Sequence, residues 1–414
     1  MNAHDNPDHG VPGLVAGHSV LKRLIGIDRE GFAAEYWGRQ ALLTSAAELP
    51  TPFADLLDAD AVDQLVSQRG LRTPFLRVAK NGTTLADKMF TGPGGVGASI
   101  ADQVSDDKLV RLFADGSTLV LQALHRVWPP IIQFCQQLSA ELGHPVQANA
   151  YVTPPQNQGF SDHYDVHDVF VLQIEGEKRW QIHEPVLEAP LRDQPWTDRK
   201  AAVDRRAGET PLIEAVLRPG DCLYLPRGFL HAATALGGVS IHLTIGVHPW
   251  TRYALAEQLV GQALWTLAAD PSIRQSLPLG LDLSEPASVR GDAELIARRL
   301  ADALERAGAD QSFETLQRTV RGTQRAAPVG PLRQLRDAGA IGPDTVVNLR
   351  RHLAASLVHV GERTVIRSRA EDFPVSEEDV APVKSLLNSG SARAEDLGLR
   401  LARRLVLAGL AVVE

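Results

Sequence analysis

Apolar runs bounded by glycine and proline dominate the chain between about residue 72 and residue 250. The most continuous is VFVLQI, residues 169–174, whose β-branched and apolar side chains are typical of a strand buried on both faces. Glu175-Gly176-Glu177 is a turn signal, and KRWQIH at residues 178–183 resumes the extended pattern. We therefore predict a hairpin whose first strand lies in the protein core.

A second strand signal follows about forty residues later, in LRPGDCLYLPRGFLH at residues 217–231. Pro219-Gly220-Asp221 predicts a turn, CLYLP a short strand, and Arg227-Gly228 a kink that turns the chain back. Short strands separated by turns predict a double-sheet jelly roll, whose interior can hold a metal and a small acid.

Apolar residues at helical spacing mark most of the remaining chain. They predict helices at residues 31–43, 58–70, 105–143, 253–270 and 293–322. Pro129-Pro130 should divide the third of these helices in two. In the last 85 or so residues, 346–369 form a strand-like pair, and 391–414 predict a helix followed by a short strand.

These patterns predict an α+β chain in three parts, and 414 residues suit two or three domains. Residues 1–250 hold the jelly roll with a helical N-terminal part. Residues 251–328 form a helical domain, and residues 329–414 combine helices with a small β-wing.

Composition narrows the class of protein. The chain is 44% hydrophobic, has no uncharged apolar stretch of 18 residues, and begins with the polar segment MNAHDNPDHG rather than a targeting leader. Two cysteines, Cys135 and Cys222, do not make a disulfide framework. We predict a cytoplasmic protein without a membrane partner. The net charge of −8 disfavours general nucleic-acid binding and slightly favours a basic partner.

One constellation of side chains carries the chemistry. His163 and Asp165 are two residues apart, and His231 follows 66 residues after that aspartate. Alternate residues of an extended segment point to the same side, so His163 and Asp165 can bind one ion. Two imidazoles and one carboxylate form the facial triad of Fe(II) oxygenases, which leaves three coordination positions for a co-substrate and dioxygen.

An isolated histidine is usually a core or surface residue, and the shared motif alone favours metal ligation for these three. His167 competes with them, since it is also two residues from Asp165. One facial triad needs only two imidazoles, so we expect His167 near the site entrance. Asp168 should face away and form a structural hydrogen bond or salt bridge.

Residues 149–185 and 217–231 carry a resemblance to the JmjC-type ribosomal oxygenases of the cupin superfamily. The resemblance implies a double-stranded β-helix core, a helical dimerisation segment and a C-terminal winged-helix domain. It also implies Fe(II) as the metal and 2-oxoglutarate as a co-substrate. The implied activity is hydroxylation of an arginine or histidine side chain of a protein by a homodimer, and the resemblance points to a ribosomal protein as the substrate.

The resemblance also implies roles for pocket residues. Lys178 would bind the distal carboxylate of 2-oxoglutarate through a charge-assisted bond, whereas most lysines after a turn are simply solvated. Asn149, His242 and Thr244 would lie near the co-substrate. Tyr151 would lie near the target peptide, and we assign His167 to the substrate side as well. Without the resemblance, these residues would be ordinary strand positions.

Other functions stay open. A peptide natural product is an alternative substrate of the same chemistry, and a cupin metalloenzyme that does not use 2-oxoglutarate would need no cation at Lys178. A non-catalytic winged-helix regulator is the third alternative. Residues 331–414 contain 12 Arg and Lys against 11 Asp and Glu, a net charge of +1. That is too neutral for a strong phosphate footprint, so we expect no direct nucleic-acid contact.

The segment from Tyr253 to Ala269 places Leu255, Leu259, Ala263 and Leu267 on one helical stripe. Such a stripe suits a partner helix in a homodimer. A helix buried within one chain gives the same pattern.

Overall fold

The computed structural model describes residues 19–80, 82–155, 157, 161–282, 284–306 and 309–413, with only the backbone of 309–314. Residues 1–18, for which a polar start without a targeting leader is a prediction, lie outside the described residues. The chain divides between Pro249 and Trp250 into two compact units, and each is treated by itself. The further predicted division at residue 328 stays a prediction.

The first unit contains eleven described strands and seven described α-helices. The strands are β1 (Leu42–Thr44), β2 (Leu76–Lys80), β3 (Thr83–Thr84), β4 (Thr91–Gly92), β5 (Gln103–Val104), β6 (Thr118–Leu121), β7 (Val146–Thr153), β8 (Asp168–His183), β9 (Ile213–Leu217), β10 (Cys222–Leu225) and β11 (Leu230–Val247). The helices are α1 (Val20–Ile25), α2 (Arg29–Gly31), α3 (Ala59–Gln68), α4 (Asp106–Ala114), α5 (Leu124–Val127), α6 (Pro129–Leu142) and α7 (Lys200–Ala207).

Two long strands, β8 and β11, organise the antiparallel sheet of this unit. The first half of β8 lies between β10 and the second half of β11, in the order β1-β10-β8-β11-β7-β6-β2-β3. The second half of β8 lies between β9 and the first half of β11. The two strands therefore belong to both parts of the sheet, as a jelly roll requires.

The predicted hairpin at Glu175-Gly176-Glu177 is wrong, because β8 runs unbroken through these residues. Gly176 has φ +64°, and the register between β8 and β11 shifts at this point. Positive φ at a glycine serves a β-bulge as well as a turn, so the local sequence does not separate the two. The partner strand β11 resolves the ambiguity by pairing with β8 on both sides of the glycine.

The predicted helix over residues 105–143 is also only partly correct. Thr118–Leu121 is strand β6, which is buried at every position and joins β2 to β7. The proline pair does mark a boundary, because Pro129 opens helix α6 at a position where its missing N–H costs nothing. Phe134 and Leu138 on the inner face of α6 pack into the main core. Gly143 ends the helix with φ +72°.

The second unit begins with helices and ends in short strands. Its described helices are α8 (Arg252–Leu267), α9 (Ala287–Arg306), α10 (Ala309–Thr323), α11 (Pro331–Ala340), α12 (Val380–Ser389), α13 (Ala394–Leu397) and α14 (Leu399–Leu407). Its described strands are β12 (Val346–Leu349), β13 (Ser356–Val360), β14 (Arg363–Arg367), β15 (Asp372–Val375), β16 (Ser391–Arg393) and β17 (Ala411–Val413). They pair as two three-stranded sheets, β16-β12-β17 and β13-β14-β15.

Only part of the predicted stripe on α8 faces a partner within the chain. Ala263 and Leu267 are buried against Ala303 of α9, whereas Leu255 is 41% exposed. None of the described helices combines the length and apolar character needed to cross a bilayer.

The bulge gives a matched pair of stability measurements. A Cβ at Gly176 would lie 2.1 Å from the carbonyl oxygen of Val239, whereas nothing lies within 4 Å of a Cβ at Gly237, where φ is +65°. Gly237→Ala should lower the free energy of unfolding by about 1–2 kcal/mol, from the left-handed backbone alone. Gly176→Ala should lower it by roughly 1–3 kcal/mol more, because the backbone must also move. Equal losses in denaturant unfolding would contradict this account of the bulge.

Candidate metal centre

The backbone joins the two sequence motifs directly. His163 lies in the loop before β8 and forms an isolated bridge with His231, the second residue of β11. The His163 N–H donates to the His231 carbonyl at 3.2 Å, and the His231 N–H donates back at 2.9 Å. The Gly228 N–H also donates to the carbonyl of Asp165 at 3.0 Å. The loop that carries His163 and Asp165 is therefore held along the start of β11.

One ligand atom from each of His163, Asp165 and His231 lies within 4.8 Å of the others. Nε2 of His231 is 3.7 Å from Oδ2 of Asp165, and the two imidazole centroids are 4.5 Å apart. Tyr164, between the first two, is 1% exposed, and its hydroxyl donates to the carbonyl of Gln194. The alternation expected of an extended segment thus holds here, although the described structure assigns the two residues to a loop rather than a strand.

The hydrogen bonds of both imidazoles favour metal binding. Nδ1 of His163 lies 2.8 Å from the Ser161 carbonyl, and Nδ1 of His231 lies 3.0 Å from the Phe229 carbonyl. A carbonyl only accepts, so each Nδ1 carries the proton and each Nε2 presents its lone pair to the centre of the triad. Burial lowers the pKa of His231 to about 4, which keeps this ring neutral at pH 7.

The carboxylate is ionised for a different reason. Burial acts to raise the pKa of Asp165, but the neighbouring imidazoles of His167, His163 and His231 and the Arg77 guanidinium outweigh burial and lower it. Two imidazoles that present Nε2 and one ionised carboxylate, on one side of a small space, form a donor set that fits an octahedral Fe(II) ion.

His167 does not join this set. The chain bends at residues 166–167, and the ligand atoms that cluster with Asp165 do not include those of His167. Its Nε2 is 3.1 Å from Nε2 of Gln147, and its ring packs edge-on against His248 at 4.9 Å. It therefore lies beside the triad, where it lowers the pKa of Asp165 but is not placed as a metal ligand.

Asp168 ties the second motif to the first. It is fully buried and accepts hydrogen bonds from the Tyr224 hydroxyl at 2.9 Å and from the Arg227 N–H at 3.0 Å. The Arg227 guanidinium is 3.4 Å from the same carboxylate. These contacts hold the Arg227-Gly228 turn, and Gly228 in turn bonds to Asp165.

The triad faces a cavity inside the jelly roll. The cavity wall contains the three triad residues, four polar or aromatic residues predicted for the pocket, and five further residues. They are His163, Asp165, His231, Tyr151, Lys178, His242, Thr244, Val169, Val171, Trp180, Ala232 and Ala233. Asn149 and His167 are not among the described residues of this wall. Asn149 instead accepts a hydrogen bond from the Ala123 N–H at 3.0 Å.

Lys178 lies in this wall without an acidic side chain to pair with among the described residues. It is 3% exposed, and its ammonium donates to Thr153 Oγ1 at 3.3 Å and lies 3.5 Å from Nδ1 of His242. Burial lowers its pKa to about 7. No carboxylate of the described residues forms an ion pair with it, and the indole N–H of Trp180 in the same wall also has no partner there. These two donors suit an anionic ligand.

The strand register explains why residues distant in sequence line one cavity. Tyr151 on β7 pairs with His242 on β11 and, through Val120 on β6, with Arg77 on β2. The rings of Tyr151 and His242 stack at 4.9 Å with planes 4° apart. Asn149 and Thr244 form the neighbouring pair. The prediction that alternate residues of each strand share one face is therefore correct. The strand register decides which residues of neighbouring strands lie opposite each other.

Sequence reasoning missed Arg77. Burial and the charge of Asp165 raise the pKa of Tyr151, and Arg77 opposes this rise by hydrogen bonding to the phenol oxygen. The only available signal was the alternation in LRVAK, where Leu76 and Val78 face the core and Arg77 must face the other side. That pattern does not reveal that the other side is the cavity.

The fold and the candidate triad resemble those of metal-binding cupins of the JmjC type, and comparison with known proteins agrees. Residues 123–255 match the model of the JmjC domain. The solved structure of E. coli ribosomal oxygenase YcfD with cobalt and 2-oxoglutarate covers 94% of this chain and 99% of its own, with a TM-score of 0.54 and 17% identity. At that identity the likeness shows the fold alone.

Relatives identified by sequence are named as hydroxylases and oxygenases as well. A bifunctional lysine-specific demethylase and histidyl-hydroxylase NO66 of Drosophila mojavensis is 30% identical over 278 residues, 66% of this chain and 30% of the relative. Ribosomal oxygenase 1 of Rattus norvegicus is 38% identical over 138 residues, 33% of this chain and 23% of the relative. The chain thus spans less than half of the curated relatives it matches; it is similar to proteins named as ribosomal oxygenases and, over residues 123–255, to the JmjC domain.

The triad predicts a specific pattern of metal binding. Substituting His163, Asp165 or His231 with Ala should weaken Fe(II) binding at least about 100-fold, since loss of an outer hydrogen-bond partner alone costs 10–100-fold. His167→Ala should bind Fe(II) as the unaltered protein does. Anaerobic titration and metal analysis of each variant measure this. Loss of metal in His167→Ala equal to that in His163→Ala would mean that the ligand set is different.

Proposed function

We propose that this protein is an Fe(II)- and 2-oxoglutarate-dependent oxygenase that hydroxylates a side chain of a protein substrate. One observation carries the proposal: a His/Asp/His donor set lines the same cavity as a buried lysine that has no carboxylate partner among the described residues. An iron site alone would not need that lysine. A dicarboxylate that binds iron at one end and a cation at the other needs both.

Different residues of the cavity would bind the metal and the co-substrate. His163, Asp165 and His231 would hold the iron, which supplies the oxidising chemistry together with 2-oxoglutarate and dioxygen. Lys178 would bind the distal carboxylate of 2-oxoglutarate. Thr153 and His242 hold the ammonium in place through its two contacts. Val169 and Val171 keep this part of the cavity apolar, which strengthens the charge-assisted bond.

The target is proposed to be an arginine or histidine side chain of a ribosomal protein. The relatives named as histidyl-hydroxylases and ribosomal oxygenases support this class of substrate. Tyr151 is a candidate contact for the target, because it lines the cavity and its hydroxyl is held by Arg77. His167 stays a predicted substrate contact beside the cavity. A cytoplasmic location likewise stays a prediction.

The activity test measures two products in one reaction. With dioxygen present, iron-loaded protein should convert 2-oxoglutarate into succinate and carbon dioxide and add one oxygen atom, 16 Da, to one protein of a ribosomal protein mixture, and Asp165→Ala should do neither. A peptide natural product modified in place of every ribosomal protein would select the first alternative. Metal binding without any 2-oxoglutarate turnover would select a different cupin metalloenzyme, and failure to bind Fe(II) at all would select the non-catalytic regulator.

Lys178→Ala should separate co-substrate binding from metal binding. Loss of a buried charge-assisted contact costs roughly 2–3 kcal/mol, or about 30–150-fold in affinity. We expect the Kd of 2-oxoglutarate to rise by that factor while iron stoichiometry stays unchanged. An unchanged Kd would mean that another cation holds the distal carboxylate.

The pKa of Lys178 adds a second readout to the same experiment. Only the ammonium binds a carboxylate, and the pKa is about 7 before the co-substrate binds. Affinity for 2-oxoglutarate should therefore be flat below pH 7 and should fall above it, by up to about tenfold per pH unit. Lys178→Arg keeps its charge and should remove this dependence. The same fall in Lys178→Arg would assign the titration to another group.

We propose that the second unit supports a homodimer and that residues 329–414 form a winged-helix domain. The helices α11, α12 and α14 beside the strand pairs of β13-β14-β15 support the domain assignment. The dimer is supported by a second apolar stripe on α8, which lies beside the predicted one. It consists of Tyr253, Val260, Leu264 and Trp265, which are 41–73% exposed. Exposed apolar patches of this kind typically mark an interface.

The double substitution Val260→Glu and Leu264→Glu should therefore convert a dimer into a monomer, as measured by light scattering. Leu335→Glu on α11 is the matched control, since Leu335 is 65% exposed and lies outside the stripe. A monomeric unaltered protein, or a dimer that survives the double substitution, would contradict the proposed interface.

A further inference from the structure

The second unit contains a cavity whose wall is made largely of arginine. Arg318 and Arg321 reach it from α10, and Arg367 and Arg369 from the end of β14 and the turn that follows. Gly322, Ser368 and Asp372 complete the wall. The cavity measures about 320 Å³, enough for a small ligand or one end of a larger one.

Most of this positive charge has no counter-charge in the cavity wall. Asp372 is the one carboxylate among the residues described there, and it pairs with Arg367 at 2.9 Å. Arg318, Arg321 and Arg369 therefore contribute a net charge of about +3 to a single cavity.

Two of the three arginines are also partly removed from water. Arg321 is 9% exposed, and its Nη2 donates to Gln317 Oε1 and Ser356 Oγ, both at 2.8 Å. Arg369 donates to the His352 carbonyl at 3.0 Å, while its buried Nε has no partner among the described residues. Burial lowers the pKa of both side chains, and the nearby Arg367 adds to the effect at Arg321.

Holding like charges together at a partly buried position is unfavourable unless an opposite charge joins them. The neutral contacts to Gln317, Ser356 and the His352 carbonyl orient the guanidinium groups without supplying that charge. Several planar guanidinium groups around one space match the acceptor oxygens of a tetrahedral phosphate, which each can bind through two parallel hydrogen bonds.

We propose that this cavity binds a phosphate group. The phosphate belongs either to a free phosphate or nucleotide, or to the backbone of a nucleic-acid strand. The near-neutral total charge of residues 331–414 does not argue against the site, because Arg318 and Arg321 precede that range and join the cluster only through the fold.

Three substitutions test the site without relying on one buried residue. Arg318→Gln and Arg369→Gln each remove one charge from the wall. Gly322→Glu adds a carboxylate at a position where nothing lies within 4 Å of a Cβ, so the helix should tolerate it. Arg363→Gln is the matched control, since Arg363 is an exposed arginine on β14 outside the wall.

The measurement is calorimetric titration of the full chain with inorganic phosphate, at an ionic strength held constant with chloride. Each arginine variant should weaken phosphate binding about tenfold, Gly322→Glu should abolish it, and Arg363→Gln should stay within about twofold. Circular dichroism confirms that each variant is folded. Absence of saturable binding, or the same loss in Arg363→Gln, would overturn the proposal.

A second titration identifies the source of the phosphate. A nucleoside monophosphate and a single-stranded RNA of about ten nucleotides are compared under the same conditions. Binding of RNA much tighter than of the nucleotide, lost in Arg318→Gln, assigns the site to a nucleic-acid backbone. Equal binding of phosphate and nucleotide with no gain for RNA assigns it to a small ligand.

Discussion

The pair of backbone hydrogen bonds between His163 and His231 is the contact on which the candidate metal centre depends. It joins a loop before β8 to the start of β11, and so brings together residues 68 positions apart. The side chains add to it, since Asp165 is held through Gly228 and Asp168 fixes the neighbouring turn. A donor set placed by backbone bonds is already arranged before a metal binds, which reduces the ordering required on binding.

A second constraint comes from burial. Lys178 lies in the same jelly roll with two neutral hydrogen-bond partners, and no carboxylate in the described part of the chain pairs with it. An unpaired charge in this environment costs free energy, and its lowered pKa expresses that cost. The first unit therefore keeps an unsatisfied cation beside a metal-binding face. This combination distinguishes a site for a chelating dicarboxylate from a simple metal site.

The two long strands extend these local features across the unit. Because β8 and β11 pair on both sides of the bulge at Gly176, the pairing of these two strands, with its register shift, sets the positions of Lys178, His242 and Thr244 together. The pairing with β7 adds Tyr151 to the same wall. In the second unit, too, residues from separate elements meet in one place, since the arginine cluster combines α10 with the end of β14.

Local sequence determined the motif residues, the side of the strand that each of them faces, and most of the helices and strands. The spacing of His163 and Asp165, the buried run at residues 169–174 and the helical periodicity of α8 are all short-range patterns. The family resemblance added the co-substrate and the role of Lys178. These predictions depend on residues within a few positions of one another, where side-chain direction follows directly from backbone conformation.

Tertiary structure decided what local patterns leave ambiguous. Gly176 is compatible with a turn or a bulge, and only the partner strand makes it a bulge. Thr118–Leu121 follows a helical pattern but pairs as a strand, because β2 and β7 supply hydrogen bonds on both sides. His167 shares its spacing with a ligand until the chain bends, and Arg77 enters the site through a strand 74 residues before Tyr151. Contacts between distant segments are set by register and packing, which no local pattern encodes.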